Sequence, residues 1–259
     1  MSIKTDNIEH IQVRFYEELN DFLPLHRRRR EFVRSIPEPT TTKDLIEGCR
    51  VPHTEVDLIL VNGESVDFNR MVGDGDRVSV YPVFESLDIS SATRLQERPL
   101  RNPRFLADVN LGKLARYLRM AGFDTAYRND ADDDELIAQM VQEDRALLTR
   151  DRRLLMRKAV VKGYLVRSVR AADQLEEVLR RFDLQAAIRP FTRCMHCNAG
   201  LEQVDKAEIM DRLKPLTKRY YEDFSRCAGC GRIYWRGSHR DRLDPKVRKI
   251  LSSTGSADN

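Results

Sequence analysis

Apolar and polar residues alternate along Ile11-Gln-Val-Arg-Phe-Tyr16 and again over 30–36, the two-residue period of strands with one buried face. The spacing then changes: Thr42 can cap a short helix running from Lys43 to about Cys49, with Asp44 well placed in its first turn. Val56-Asp-Leu-Ile-Leu-Val61 predicts a buried strand that stops at an Asn62-Gly63 turn. A second tight turn, Gly73-Asp-Gly-Asp76, leads into a final strand, Arg77–Pro82. Residues 1–88 therefore form one small α+β domain, and 89–102, with Ser90, Ser91, Arg94, Arg98 and Pro99, lose periodicity and mark a linker.

From Arg104 onward strand and helix alternate. Phe105-Leu-Ala is a short apolar run ending at Asp108, after which Leu111, Leu114, Ala115, Leu118 and Ala121 recur at helical spacing. Strands at 124–127, 146–149 and 164–166 are interleaved with helices opening at Asp132 or Asp133, at Arg152 and at Ala171. Such alternation predicts an α/β core, 103–189, around a parallel sheet covered on both faces. Residues 190–250 are poor in apolar residues and are organised around cysteines, and 251–259 form a small polar tail expected to fray.

The chain has 259 residues, enough for two or three domains with their own cores. No window approaches eighteen apolar residues, so no membrane span is expected. Met1–His10 lacks the apolar run of a secretory signal, which makes the cytoplasm the default address. The net charge of +4 is unevenly spread: 1–88 hold 11 Lys/Arg against 17 Asp/Glu, whereas 89–189 hold 20 against 15 and 190–259 hold 14 against 9. The basic back two-thirds can face a polyanion.

Four of the five cysteines fall into two pairs, Cys194-Met-His-Cys197 and Cys227-Ala-Gly-Cys230. Two such turns supply four thiolates to one tetrahedral Zn²⁺, and a closed Cys₄ shell leaves no position for a reacting water, so one structural zinc per chain is expected. Neither pair sits between a strand and a helix as a redox pair would. Cys49 falls on the apolar side of a short helix and reads as core.

Asp108 and Asp151 each stand at the C-terminal end of a predicted parallel strand, the edge where α/β sheets bind ligands. Between them lies an acidic helix start, Asp132-Asp-Asp-Glu135. Carboxylates from three such places can converge on Mg²⁺ or Mn²⁺ and activate water against a phosphodiester. Each also has a plainer role, as a helix cap or a dipole-favoured first turn. Lys113, Arg116 and Arg119 on the helix after Asp108, and Arg150 and Arg152 flanking Asp151, are candidates to hold RNA phosphate. Arg27-Arg-Arg-Arg30 is the densest basic run and lies in the acidic domain. In the cysteine segment, Lys218, Arg219, Arg226, Arg232, Arg236 and Arg240 are interleaved with Tyr220, Tyr221, Tyr234 and Trp235, a pattern suited to single-stranded RNA unless the aromatics are needed for core.

Residues 105–124, then Asp133-Asp-Glu-Leu, then Leu147-Leu-Thr-Arg-Asp-Arg152, resemble the PIN-like RNase domain of the Mut-seven C-terminal family, in which a zinc ribbon follows the nuclease core. Residues 61–68 and 75–85 are similar to the ubiquitin-like, β-grasp domain often fused in front of it, and the strand, strand, helix, strand, strand order agrees. The resemblance implies a metal-dependent ribonuclease whose carboxylates map to Asp108, Asp133 (or Asp134) and Asp151. Many relatives carry a fourth acid; Tyr164-Leu-Val-Arg-Ser168 offers none, and Asp173 lies in the next helix. The alternatives are an RNA- or ribosome-binding protein with a decayed site, or an adaptor that meets a protein partner through the ubiquitin-like domain.

Overall fold

The computed structural model describes residues 8–82, 103–235 and 243–252. These fall into two units, one made of 8–82 with Asp151–Leu165 and the other of 103–150 with Val166 onward. The expected linker lies outside the described residues, as do Arg236 and Arg240. Among the described residues no helix is long and apolar enough to cross a membrane.

The first unit begins with β1 (Glu9–Phe15), β2 (Phe32–Ile36), β3 (Thr40–Thr41), α1 (Thr42–Gly48), β4 (Val56–Val61), β5 (Glu64–Val66), β6 (Met71–Val72) and β7 (Arg77–Pro82). Five of the strands form one sheet in the order β2-β1-β7-β4-β5. Its central pair, β1 and β7, is parallel with Val13 opposite Val78, and the others are antiparallel. The alternating residues Ile11, Val13 and Phe15 bury against Val78, Val80 and Ile59, with Leu45 and Ile46 of α1 on the same core. The hairpin turn is where the sequence puts it, with Asn62 (φ 53°) and Gly63 (φ 88°) both left-handed. The cap of α1 differs by one residue from the expectation. Thr41, held extended by pairing in β3, accepts from the Asp44 amide at 3.0 Å, while Thr42 is buried and its hydroxyl donates to the Asp67 carbonyl.

The second unit opens with β8 (Phe105–Ala107), α2 (Gly112–Met120), β9 (Thr125–Tyr127), α3 (Asp133–Glu143) and β10 (Ala146–Thr149). Its strands lie in the order β10-β8-β9, all parallel, with Leu106 between Leu147 and Ala126. The sheet is the parallel one expected from the alternation of elements. Gly122 ends α2 at φ 99°, and a Cβ there would run into the Arg189 carbonyl oxygen, so the position is reserved for glycine.

The next two elements, α4 (Arg152–Leu155) and β11 (Gly163–Leu165), belong to the first unit. There the Leu165 amide donates to Glu55 Oε1 at 2.7 Å, His53 Nε2 lies 2.8 Å from the Val160 carbonyl, and the Leu165 side chain packs on the β1–β7 core.

The second unit resumes with α5 (Ala171–Arg181), β12 (Leu201–Val204), α6 (Pro215–Tyr220), β13 (Phe224–Cys227), β14 (Ile233–Trp235) and α7 (Pro245–Ser252). Strands β12, β13 and β14 form an antiparallel ribbon over Val204, Ile209, Leu213 and Phe224. Helix α7 takes in Leu251 and Ser252, the first two residues of the expected tail, because Leu251 is buried. Residues 253–259 lie outside the described residues.

Candidate functional site

The cysteine pairs meet. Sγ of Cys197 lies 3.3 Å from Sγ of Cys227, and Sγ of Cys194 lies 3.6 Å from Sγ of Cys230. All four sulfurs are within 4.8 Å of one another. Four sulfurs about 2.3 Å from a tetrahedral zinc are about 3.8 Å apart, so this quartet fits the ion. The Cys197 and Cys230 amides point back at the first sulfur of each pair, and Gly231 (φ 69°) gives the second turn its left-handed residue. At Gly229 a Cβ would press on Ala199 and on the Cys197 sulfur. Burial disfavours the Cys194 thiolate, but the Cys197 amide and the Tyr234 hydroxyl, 3.0 Å away, outweigh it and draw the thiol down to about 6. Among the described residues this is the only group of three or more His, Cys, Asp or Glu side chains close enough to share a metal ion.

The first cysteine turn is anchored to the parallel sheet. Arg119, at the buried end of α2, donates to the carbonyls of Thr125 (2.8 Å) and His196 (2.8 Å). Asn198, left-handed at φ 71°, accepts from the Thr125 amide and donates to Asp124 Oδ1 at 2.8 Å. Asp124 also receives Arg145 at 2.6 Å. Burial would raise the Asp124 carboxyl, yet the hydrogen bonds from Arg145 and Asn198 hold it below the usual carboxylate range. Arg119 therefore departs from its expected role: it is 6% exposed and bonded to backbone, so its guanidinium is committed to structure rather than offered to phosphate.

Asp108 follows β8 and is buried, and it does not cap the turn after it. Its Oδ2 accepts the Thr149 hydroxyl at 2.6 Å, while among the described residues Oδ1 accepts no hydrogen bond. The two residues are brought together by the parallel pairing of β8 and β10, which also joins the Asp108 amide to the Leu148 carbonyl at 2.9 Å. Thr149, as the residue that orients Asp108, was not singled out from sequence; its signal was the Thr-Arg-Asp end of β10. Tyr127 donates to the Val109 carbonyl and lies against Gly112, fixing the turn that carries Asp108.

The other acids stand differently. Asp132 and Glu135 form a reciprocal capping box, and Asp133 and Asp134 are exposed in the first turn of α3. Asp151 is exposed, caps α4 through the Arg153 amide at 2.7 Å, and lies in the first unit. Asp173 pairs with Lys246 at 2.7 Å. The carboxylates therefore form no ready ligand set of three among the described residues. Lys113, Arg116 and Arg150 are exposed and Arg152 is half-buried. In the ribbon, Trp235 and Tyr221 pack on the core and Tyr234 bonds a cysteine, which leaves Tyr220, with Arg219 over its ring, as the exposed aromatic of that group.

Family models match both parts of the chain. Residues 103–247 match the Mut7-C RNAse domain, and residues 8–88 match the Mut7-C ubiquitin domain. The chain belongs to the Mut7-C RNAse domain family. Its order of ubiquitin-like domain, RNase domain and Cys₄ cluster is the one the sequence motifs implied. No curated protein and no solved structure matches the chain.

Proposed function

We propose that this Mut7-C chain hydrolyses RNA phosphodiester bonds with the help of Mg²⁺ or Mn²⁺, and that zinc at Cys194, Cys197, Cys227 and Cys230 has a purely structural role. The observation that supports hydrolysis most strongly is Asp108, a buried carboxylate at the C-terminal end of a parallel strand with one oxygen tied to Thr149 and the other free to accept. Hard oxygen donors of this kind suit a hard divalent cation. Asp108, Asp133 (or Asp134) and Asp151 would hold it. When bound, the ion supplies a more acidic water and a counter-charge for the leaving oxygen. Thr149 keeps the Asp108 carboxylate aimed, and Lys113, Arg116, Arg150 and Arg152 hold phosphate along the strand.

The second reading, RNA binding without cleavage, is favoured by the finding that no three carboxylates among the described residues lie close enough to share an ion. Metal titration separates the two. Calorimetry of the zinc-loaded chain with Mn²⁺ is expected to show binding that Asp108→Asn weakens at least tenfold. Equal Mn²⁺ binding by both proteins, or none by either, favours the decayed site.

A further inference from the structure

Residues 8–82 hold more Asp and Glu than Lys and Arg, yet four of their arginines and Arg152 line one cavity of about 650 Å³ in the first unit. Arg27 and Arg28 come from the turn after Phe22, Arg34 from β2, Arg50 from just past α1, and Arg152 from the start of α4, which packs in this unit. One acid, Asp21, lines the cavity with them. Arg27 lies over the Phe32 ring at 4.9 Å, and Arg28 is braced by the Leu23 and Asp21 carbonyls at 2.8 and 3.2 Å. Among the described residues none of Arg27, Arg34, Arg50 and Arg152 pairs with a carboxylate. At the cavity wall Cys49 is buried, and burial outweighs Arg34 and Arg27 in pushing its thiol up to about 11, so it supplies no negative charge near neutrality.

Like charges gathered without partners repel one another, and the arrangement is satisfied by an anion of more than one charge. Planar guanidinium forks match phosphate oxygens in pairs. The volume lies within the range of about 300–1,000 Å³ typical of ligand pockets and exceeds what a single ion needs. Arg152 adjoins Asp151 in the chain.

We propose that the cavity lined by Arg27, Arg28, Arg34, Arg50 and Arg152 binds consecutive phosphates of an RNA strand. This deepens the ribonuclease reading and rests on it for the choice of RNA over other phosphates. The ubiquitin-like unit then has a substrate-holding role that the acidic balance of residues 8–82 conceals.

The test is equilibrium binding of a labelled 12-nucleotide oligouridylate to the full chain, without added divalent ions, across a salt series. Arg34→Gln/Arg50→Gln is expected to weaken binding roughly tenfold and to flatten the salt slope by about 1.4, the share of two phosphate contacts to a single strand. The lysine pair, Arg34→Lys/Arg50→Lys, keeps the charge and most of the slope. Arg50 is exposed, so Arg50→Gln alone decides the matter when the double variant does not fold, with half the change in slope. Unchanged affinity and slope in the folded Gln variants overturn the proposal. So does displacement of the oligonucleotide by oligoglutamate of equal charge as effectively as by inorganic pyrophosphate. Cleavage is scored separately: arginine-dependent binding without cleavage keeps this site and rejects hydrolysis, whereas Asp108-dependent cleavage with indifferent arginines does the reverse. No binding by wild type rejects both.

Discussion

Asp124 shows how much of this molecule hangs on single polar side chains. It receives Arg145 and Asn198, and through Asn198 it joins the end of the parallel sheet to the first cysteine turn. Its folded carboxyl titrates below the unfolded value of about 3.9. Its contribution is therefore fully present above that value and is lost as pH falls from there through the folded one, because the unfolded chain takes up the proton first. Urea melts between about pH 5 and pH 3 are expected to lose stability more steeply in wild type than in Asp124→Asn, and parallel slopes would refute the assignment. The sequence showed Asp108 and the cysteines plainly, because a strand end and a Cys-x-x-Cys spacing are local patterns. Arg119 was misread because its carbonyl partners at 195 and 196 are far along the chain, and helical spacing from Arg116 does not tell a buried arginine from an exposed one.

At the level of elements, period and turn chemistry were sufficient for the long pieces. Strand Ala146–Thr149 has the bounds its apolar run implied, and Phe105–Ala107 likewise. The two-residue strands β3 and β6 left no periodic trace, and their pairing is what moved the α1 cap to Thr41. In the ribbon, a small core of Val204, Ile209, Leu213 and Phe224 cannot supply much folding energy alone, so metal binding there is folding energy. Purified without chelator, the chain is expected to carry one zinc, and Cys227→Ser to lose both the zinc and the ribbon's cooperative melting transition. Zinc-free protein with an intact ribbon transition would rule out the structural role.

At the scale of the whole molecule, contacts distant in sequence decide which residues share a unit. Within the first unit, Glu55, His53 and Leu165 join residues 8–82 to residues 151–165. That grouping depends on tertiary contacts more than 100 residues apart in the chain, which no local period records. Charge was also legible only as a sum, so the arginine-lined cavity stayed hidden until the fold placed Arg34 and Arg50 on one cavity. The central claim is that Asp108 sustains metal-dependent cleavage, and single-turnover digestion of a labelled RNA tests it most directly. With Mn²⁺ and zinc-loaded protein, wild type is expected to cut the RNA. Asp108→Asn, equal in melting temperature and RNA affinity, is expected to be slower by roughly a thousandfold. An Asp108→Asn protein that cuts as fast as wild type would contradict the account.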